Sequence, residues 1–166
     1  MKSITVVEGT LADTRKLRTS VLGWQQPTVQ VDRNRRSRHF VALTESGVVV
    51  GCGSCGPSDI PDPIFSHESA MRFWGVAILA PFQGRGLGTA ILSELLTHGG
   101  RLKADIAWAN ARESALPFYL ARGFREVGDR FTDALSGLTD SRILKRLSTD
   151  GGSFSTSDGN HHSTMD

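Results

Sequence analysis

At 166 residues, 39% hydrophobic and 22% charged, the chain is long and apolar enough to bury one core and too short to call for a second domain. Its longest apolar run falls far short of the roughly 20 residues that cross a bilayer, and the opening MKSITVV lacks the apolar stretch of a leader, so no membrane span and a cytoplasmic location are expected. The formal net charge of +2 is unevenly spread, because residues 148–166 (STDGGSFSTSDGNHHSTMD) hold Asp but no Lys or Arg and leave the remainder more basic than the total.

From the N-terminus, SITVV reads as a strand, and LADTRKLRTSVLG comes next as a helix with Leu11, Leu17, Val21 and Leu22 forming its apolar stripe. The aperiodic stretch after it carries RNRRSR, with Arg33, Arg35, Arg36 and Arg38. Such a cluster grips nucleic acid best when aromatic side chains interleave to stack on bases; none do, so a solvated loop is expected and nucleic acid is an unlikely partner. HFVALTE and VVVGCGSC are the next strands. Cys52 and Cys55 have the spacing of zinc and redox pairs, yet no second ligand pair is evident and Cys55 runs into the loop GPSDIPDP rather than into a helix. They read as two small thiols at a strand end.

Further on, MRFWGVAIL is a strand, LGTAILSELLTHG a helix with apolar Leu87, Ile91, Leu92, Leu95 and Leu96, and ADIAWAN another strand. ESALPFYLARG is a third helix: Pro117 is tolerated only where amides lack intrahelical partners, so the helix begins near Glu113 or Ser114. It closes at Gly123 in the left-handed position, with Phe124 folding back. FREVGDRF and SRILKRL complete about seven strands. Hairpin-like neighbours early and strand–helix alternation from residue 71 predict a mixed α/β or α+β fold, a central twisted mixed sheet flanked by helices. The Ser/Thr/Gly/Asp-rich end cannot bury enough apolar surface to offset its ordering entropy, so a folded domain over 1–147 and a disordered tail over 148–166 are expected. His161 and His162 in that tail lack further ligands, and no metal is expected.

Between the strand MRFWGVAIL and its following helix stands QGRGLG, with Gly84, Gly86 and Gly88 alternating. A strand, a glycine loop and an immediate helix gather free backbone amides at one point, reinforced by the positive end of the helix dipole, which makes an anion cradle. Glycine leaves room for a phosphate against the amides and permits positive φ. A nucleoside-triphosphate loop would end in Gly-Lys-Ser/Thr, and the dinucleotide pattern G-x-G-x-x-G fails in both registers, at Thr89 and at Ile91.

The pattern that fits is Q/R-x-x-G-x-G/A, on Gln83, Gly86 and Gly88, and on these residues the chain resembles the GCN5-related N-acetyltransferase (GNAT) superfamily. A second match, NARESALPFYLARGF from Asn110 to Phe124, is similar to that superfamily's fourth-helix segment. The resemblance implies an acyl-CoA acyltransferase fold and acetyl coenzyme A as acetyl-donor cosubstrate. It implies that Gln83, Gly84, Arg85, Gly86, Leu87, Gly88 and Thr89 surround the diphosphate, that the strand backbone at Val76, Ala77 and Ile78 pairs with the pantetheine arm, and that Asn110, Arg112 and Phe118 border the coenzyme. Tyr119, the only tyrosine, is expected to donate to the leaving sulfur.

The resemblance therefore implies an N-acetyltransferase acting on a primary amine of a small molecule or peptide by direct attack. The alternatives are a protein acetyltransferase, on lysine or an N-terminus, and a nonenzymatic acyl-CoA-sensing or nucleic-acid-binding module using the arginine cluster; a homodimer is left open. The central strand holds no carboxylate, and Glu68, His67 and Asp105 near its start are weighed as bases with none chosen. Asp59, Asp62, Glu68, Asp133 and Asp140, in the segments that vary most in this superfamily, would suit a cationic acceptor.

Overall fold

The computed structural model describes residues 3–147; the expected tail, with His161 and His162, lies outside the described residues. Eight strands are laid down in chain order, β1 (Ile4–Gly9), β2 (Arg38–Thr44), β3 (Val49–Pro57), β4 (Ala70–Ile78), β5 (Ile106–Arg112), β6 (Arg125–Glu126), β7 (Phe131–Thr132) and β8 (Thr139–Arg146). Three helices, α1 (Leu11–Ser20), α2 (Leu87–Arg101) and α3 (Leu116–Leu120), are set among them. The strands form one sheet in the order β1-β2-β3-β4-β5-β8-β6, with β7 also pairing β8. Every pairing is antiparallel except β4–β5, whose parallel crossover is α2.

Eight strands stand where about seven are predicted, because FREVGDRF is not continuous: Gly128, at φ +73°, turns the chain between two short pairings along the edge of β8. The helix LADTRKLRTSVLG is also shorter than its pattern. A Thr10–Asp13 capping box starts α1 and Val21 caps its end, so the buried face is Thr14, Leu17 and Arg18. Val21 and Leu22 fall beyond it. In α2, by contrast, Leu87, Ile91, Leu92 and Leu95 are buried as the period predicts, and Leu96 packs partly against the same core.

The main core lies between the sheet and α2 and α3, where Phe73, Ile91, Leu95, Ala107, Ala109, Ala111, Tyr119, Phe124 and Ile143 meet. Because strand side chains alternate, Arg72, Trp108, Asn110, Arg112, Asp140 and Arg142 project from the opposite face. α1 covers part of that face, with Leu17 against Val41, Cys52 and Ala77.

Two irregularities in β4 shape the surface beside it. Opposite Cys52 and Ser54 the strand carries one extra residue, with Gly75 at φ +63°. And the parallel pairing of β4 with β5 ends at Arg72↔Trp108, after which the two strands part. From Phe73 to Ile78 the β5-facing edge of β4 therefore has no partner strand. Among the described residues, no helix is long and apolar enough to cross a membrane.

Candidate active site

The parted strands open a cleft of about 760 Å³ that runs from the glycine loop, past β4 and β5, to the opposite face of the sheet. One wall is the free edge of β4, with Val76, Ala77 and Ile78 lining it. Gln83 bends back so that Nε2 donates to the Ile78 carbonyl at 2.9 Å, which fixes the loop to the end of the strand.

The glycine loop closes one end. Gly84 and Gly86 have φ of +73° and +80°, conformations that side chains with a Cβ rarely adopt, and Gly86 is the N-cap of α2. The first intrahelical bond runs from the Ala90 amide to Gly86, so amides before it are free to point at a ligand. A Cβ on Gly84 or Gly86 would meet nothing within 4 Å, while one on Gly88 would touch the Phe118 ring at 3.4 Å. The cradle is open. An anion would also meet Arg122, whose guanidinium lies 3.7 Å from the Phe118 ring centroid and donates to Thr89 Oγ1 and the Phe118 carbonyl, each at 2.8 Å.

Helix α3 carries Tyr119 into the middle of the cleft. The α-helix is shorter than ESALPFYLARG predicts: a 3₁₀ turn over Glu113–Ala115 precedes it, Pro117 sits in its first turn, Ala121 caps it, and the left-handed Gly123, at φ +88°, follows in the turn beyond. Phe73, Phe118 and Phe124 surround the tyrosine ring at centroid distances of 5.6, 5.0 and 5.7 Å. Burial pushes its phenol well above the ordinary range, with Arg122 pulling weakly the other way, so the hydroxyl stays protonated. It makes no hydrogen bond among the described residues. Asn110 Oδ1 is likewise buried and unpartnered at the cleft's edge.

At the far end, residues beyond α1 meet the last strands. Arg112 donates to the Leu22 carbonyl at 2.7 Å, and Asp133 accepts from the Ser136 amide and hydroxyl, each at 2.9 Å. Asp140 is buried without a hydrogen-bond donor among the described residues; desolvation, then repulsion from Asp133, outweighs Arg112 and pushes its carboxyl up to about 6.

Of the residues predicted to border the coenzyme, the cleft gathers Val76, Ala77, Ile78, Gln83, Gly84, Gly86, Leu87, Gly88, Thr89, Asn110, Arg112 and Phe118, with Tyr119. Arg85 is not among its lining residues; its guanidinium stacks over the Phe82 ring at 5.4 Å. Nor do the weighed bases reach it. Glu68 pairs with Arg146, Asp105 accepts from the Ser69 amide and hydroxyl, and these lie at the opposite end of β4 from the loop. Asp133 and Asp140 line the cleft, whereas Asp59 and Asp62 do not. In the arginine cluster, Arg33, Arg35 and Arg36 are exposed and Arg38 is tied to Glu8 and to main-chain carbonyls.

Sequence reasoning missed three features. Arg122 stands four residues after Phe118, a helical spacing that places both on one side. Arg72 enters the cleft from β4. Arg18, fully buried, holds Asp32 at 2.7 Å, while Asp32 also accepts from the Trp74 indole at 2.8 Å. Burial alone would raise the Asp32 carboxyl, but Arg18, the Val29 amide and Trp74 bring it below its usual value. This network underlies the Gly75 bulge: a Cβ there would lie 2.9 Å from Arg18 Nε.

Comparison with known proteins agrees with this architecture. The chain superposes on a structure of the NatC complex bound to Gag peptide and CoA with a TM-score of 0.69 at 14% identity, covering 88% of this chain and 99% of that one. FeeM, an N-acyl amino acid synthase from uncultured soil microbes, gives a TM-score of 0.70 at 10% identity over 88% of this chain and 91% of that one. An IAA acetyltransferase from Bacillus cereus ATCC 14579 gives 0.63 at 15% identity, over 87% and 100%. At such identities the likeness shows the fold. No curated protein matches the chain in sequence. The model of the acetyltransferase (GNAT) family matches residues 11–124, more than half of the chain, across the cradle, the parted strands and Tyr119. The chain therefore belongs to the GNAT acetyltransferase family.

Proposed function

We propose that the protein transfers an acetyl group from acetyl coenzyme A to a primary amine of a small molecule or peptide. The observation that carries this reading is the unpartnered edge of β4 between Phe73 and Ile78, which runs from the glycine cradle to the free hydroxyl of Tyr119. An extended ligand arm pairs with such an edge as an added strand, and a main-chain amide there polarises a carbonyl. The residues fit the coenzyme: the amides at the start of α2 and Arg122 suit its diphosphate, and the unpartnered Asn110 Oδ1 offers an acceptor beside the arm.

When bound, the coenzyme supplies an activated acetyl thioester. The acceptor nitrogen, once deprotonated, forms the new C–N bond with its lone pair; the C–S bond breaks with its electrons going to sulfur, and the proton the nitrogen releases leaves a free thiol and an amide. Tyr119, kept protonated by burial, stabilises the developing thiolate by donating a hydrogen bond; a phenol this far above the ordinary range does not hand its proton over outright. The test is thiol release on mixing full-length protein, acetyl coenzyme A and a panel of amines, with calorimetry of coenzyme binding alongside. Acetyl-CoA-dependent release with at least one amine is expected. No heat with coenzyme A or its acetyl ester at millimolar ligand would overturn the reading.

A further inference from the structure

The half-buried and buried arginines among the described residues divide into two groups. Arg18, Arg38, Arg112 and Arg122 each donate to a carboxylate, a hydroxyl or a carbonyl of the protein. Arg72 and Arg142 donate to nothing, and the Nε of each is buried without an acceptor. They are neighbours. Register puts Arg72 beside Trp108 and Arg142 beside Asn110 on the same face, and both guanidinia lie over the Trp108 ring, at 5.1 and 5.7 Å from its centroid.

Two like charges stacked on one indole in a half-buried place repel one another, and a ring face returns only part of the lost hydration. Burial, and after it Arg142, pulls the Arg72 guanidinium below its usual range. Arg72 lines the cleft on the side away from the glycine cradle. Asp140, opposite Arg112, projects from the same face, and Asp133 and Asp140 both line the cleft with no ion pair to any arginine among the described residues. So the cleft wall on the face away from the main core holds an unsatisfied cationic group where β4 and β5 part and two carboxylates lining the same cleft, Asp140 at the level of Arg112 on β5.

Resting on the acetyl-transfer reading, we propose that the acceptor carries a carboxylate as well as its amine, an amino-acid-type zwitterion whose carboxylate is taken by Arg72, with Arg142 behind it, and whose ammonium faces Asp133 and Asp140. A guanidinium fork matches a carboxylate with two parallel hydrogen bonds, and such bonds strengthen where water is excluded. The ammonium proton passes to Asp140, and the neutral amine then presents its lone pair to the thioester.

The test titrates the full chain, saturated with coenzyme A, with amino acids whose amine lies at the α, β, γ or ε position, and with the same compounds as carboxamides or as amines lacking the carboxylate. Thiol release from acetyl coenzyme A is measured in parallel on each. Binding and kcat/KM that fall tenfold or more when the carboxylate is removed are expected, with Arg72→Gln erasing that difference and Arg72→Lys keeping part of it. Transfer to carboxylate-free amines with equal kcat/KM would overturn the acceptor class and leave the transferase standing. Carboxylate-dependent binding without thiol release would uphold the acceptor class and sink the transferase. If no compound binds or reacts, the acceptor class falls, and the heat of acetyl coenzyme A binding decides the transferase separately.

Discussion

At the scale of single residues, Tyr119 is the sharpest test of the site. Tyr119→Phe removes only an oxygen that no group among the described residues uses, so stability should barely change. It should lower kcat about tenfold to a hundredfold, the equivalent of one charge-assisted hydrogen bond, while KM for acetyl coenzyme A stays put in steady-state kinetics. Asp140 makes a prediction of opposite character. Its carboxyl, ordinarily at 3.8, is pushed up to about 6 by burial and Asp133, so the folded state holds the proton more tightly than the unfolded one. The stability this contributes is present below 3.8 and is lost as pH rises through about 6. Asp140→Asn should therefore match wild type near about pH 4 and exceed it near about pH 8 by at most ~3 kcal/mol, measured by denaturant unfolding at both.

Among the elements, the bulge of β4 and the α1 network act as one part. Arg18 reaches under Gly75, and its partner Asp32 ties the segment after α1 to Trp74 on β4, so this pair sets the cleft wall formed by Trp74 and Gly75. Arg18→Met alone leaves a buried carboxylate unpaired and should cost about 3–5 kcal/mol in chemical denaturation, whereas the double change Arg18→Met with Asp32→Leu should cost clearly less. Gly75→Ala should lose about 1–2 kcal/mol from its φ of +63°, and more if Arg18 is displaced by the Cβ 2.9 Å away. None of this is visible in the α1 pattern, which assigns the buried face to Leu11, Leu17, Val21 and Leu22. A polar residue in a helix reads as solvated until its partner is known, and Asp32 lies fourteen positions away in an aperiodic loop. The glycine loop and α3 are different. Gln83, Gly86, Gly88, Pro117 and Gly123 act through their own backbones and near neighbours, so their order along the chain already states what they do.

For the molecule as a whole, Cys52 and Cys55 show how the sheet divides functions between its faces. They are three residues apart, yet the first packs beneath α1 and the second in the main core against α2. Burial pushes each up to about 12, so neither is a thiolate near neutrality. Native protein should consume no thiol reagent, and both thiols should titrate in denaturant, which leaves thiol release as a clean readout of acetyl transfer. The same two-faced sheet separates what was legible from what was not. By itself the sequence determined the layered α+β class, the glycine loop between β4 and α2 and the place of Tyr119 on α3, because each comes from local periodicity or from glycine and proline at fixed offsets. Only the tertiary structure decided that β4 and β5 part after Arg72 and Trp108, that Arg72 and Arg142 share one indole, and that Asp133 and Asp140 rather than Glu68 or Asp105 face the cleft. Those facts depend on which strands become neighbours and in what register, and a side chain's charge in the sequence carries no record of what will stand opposite it.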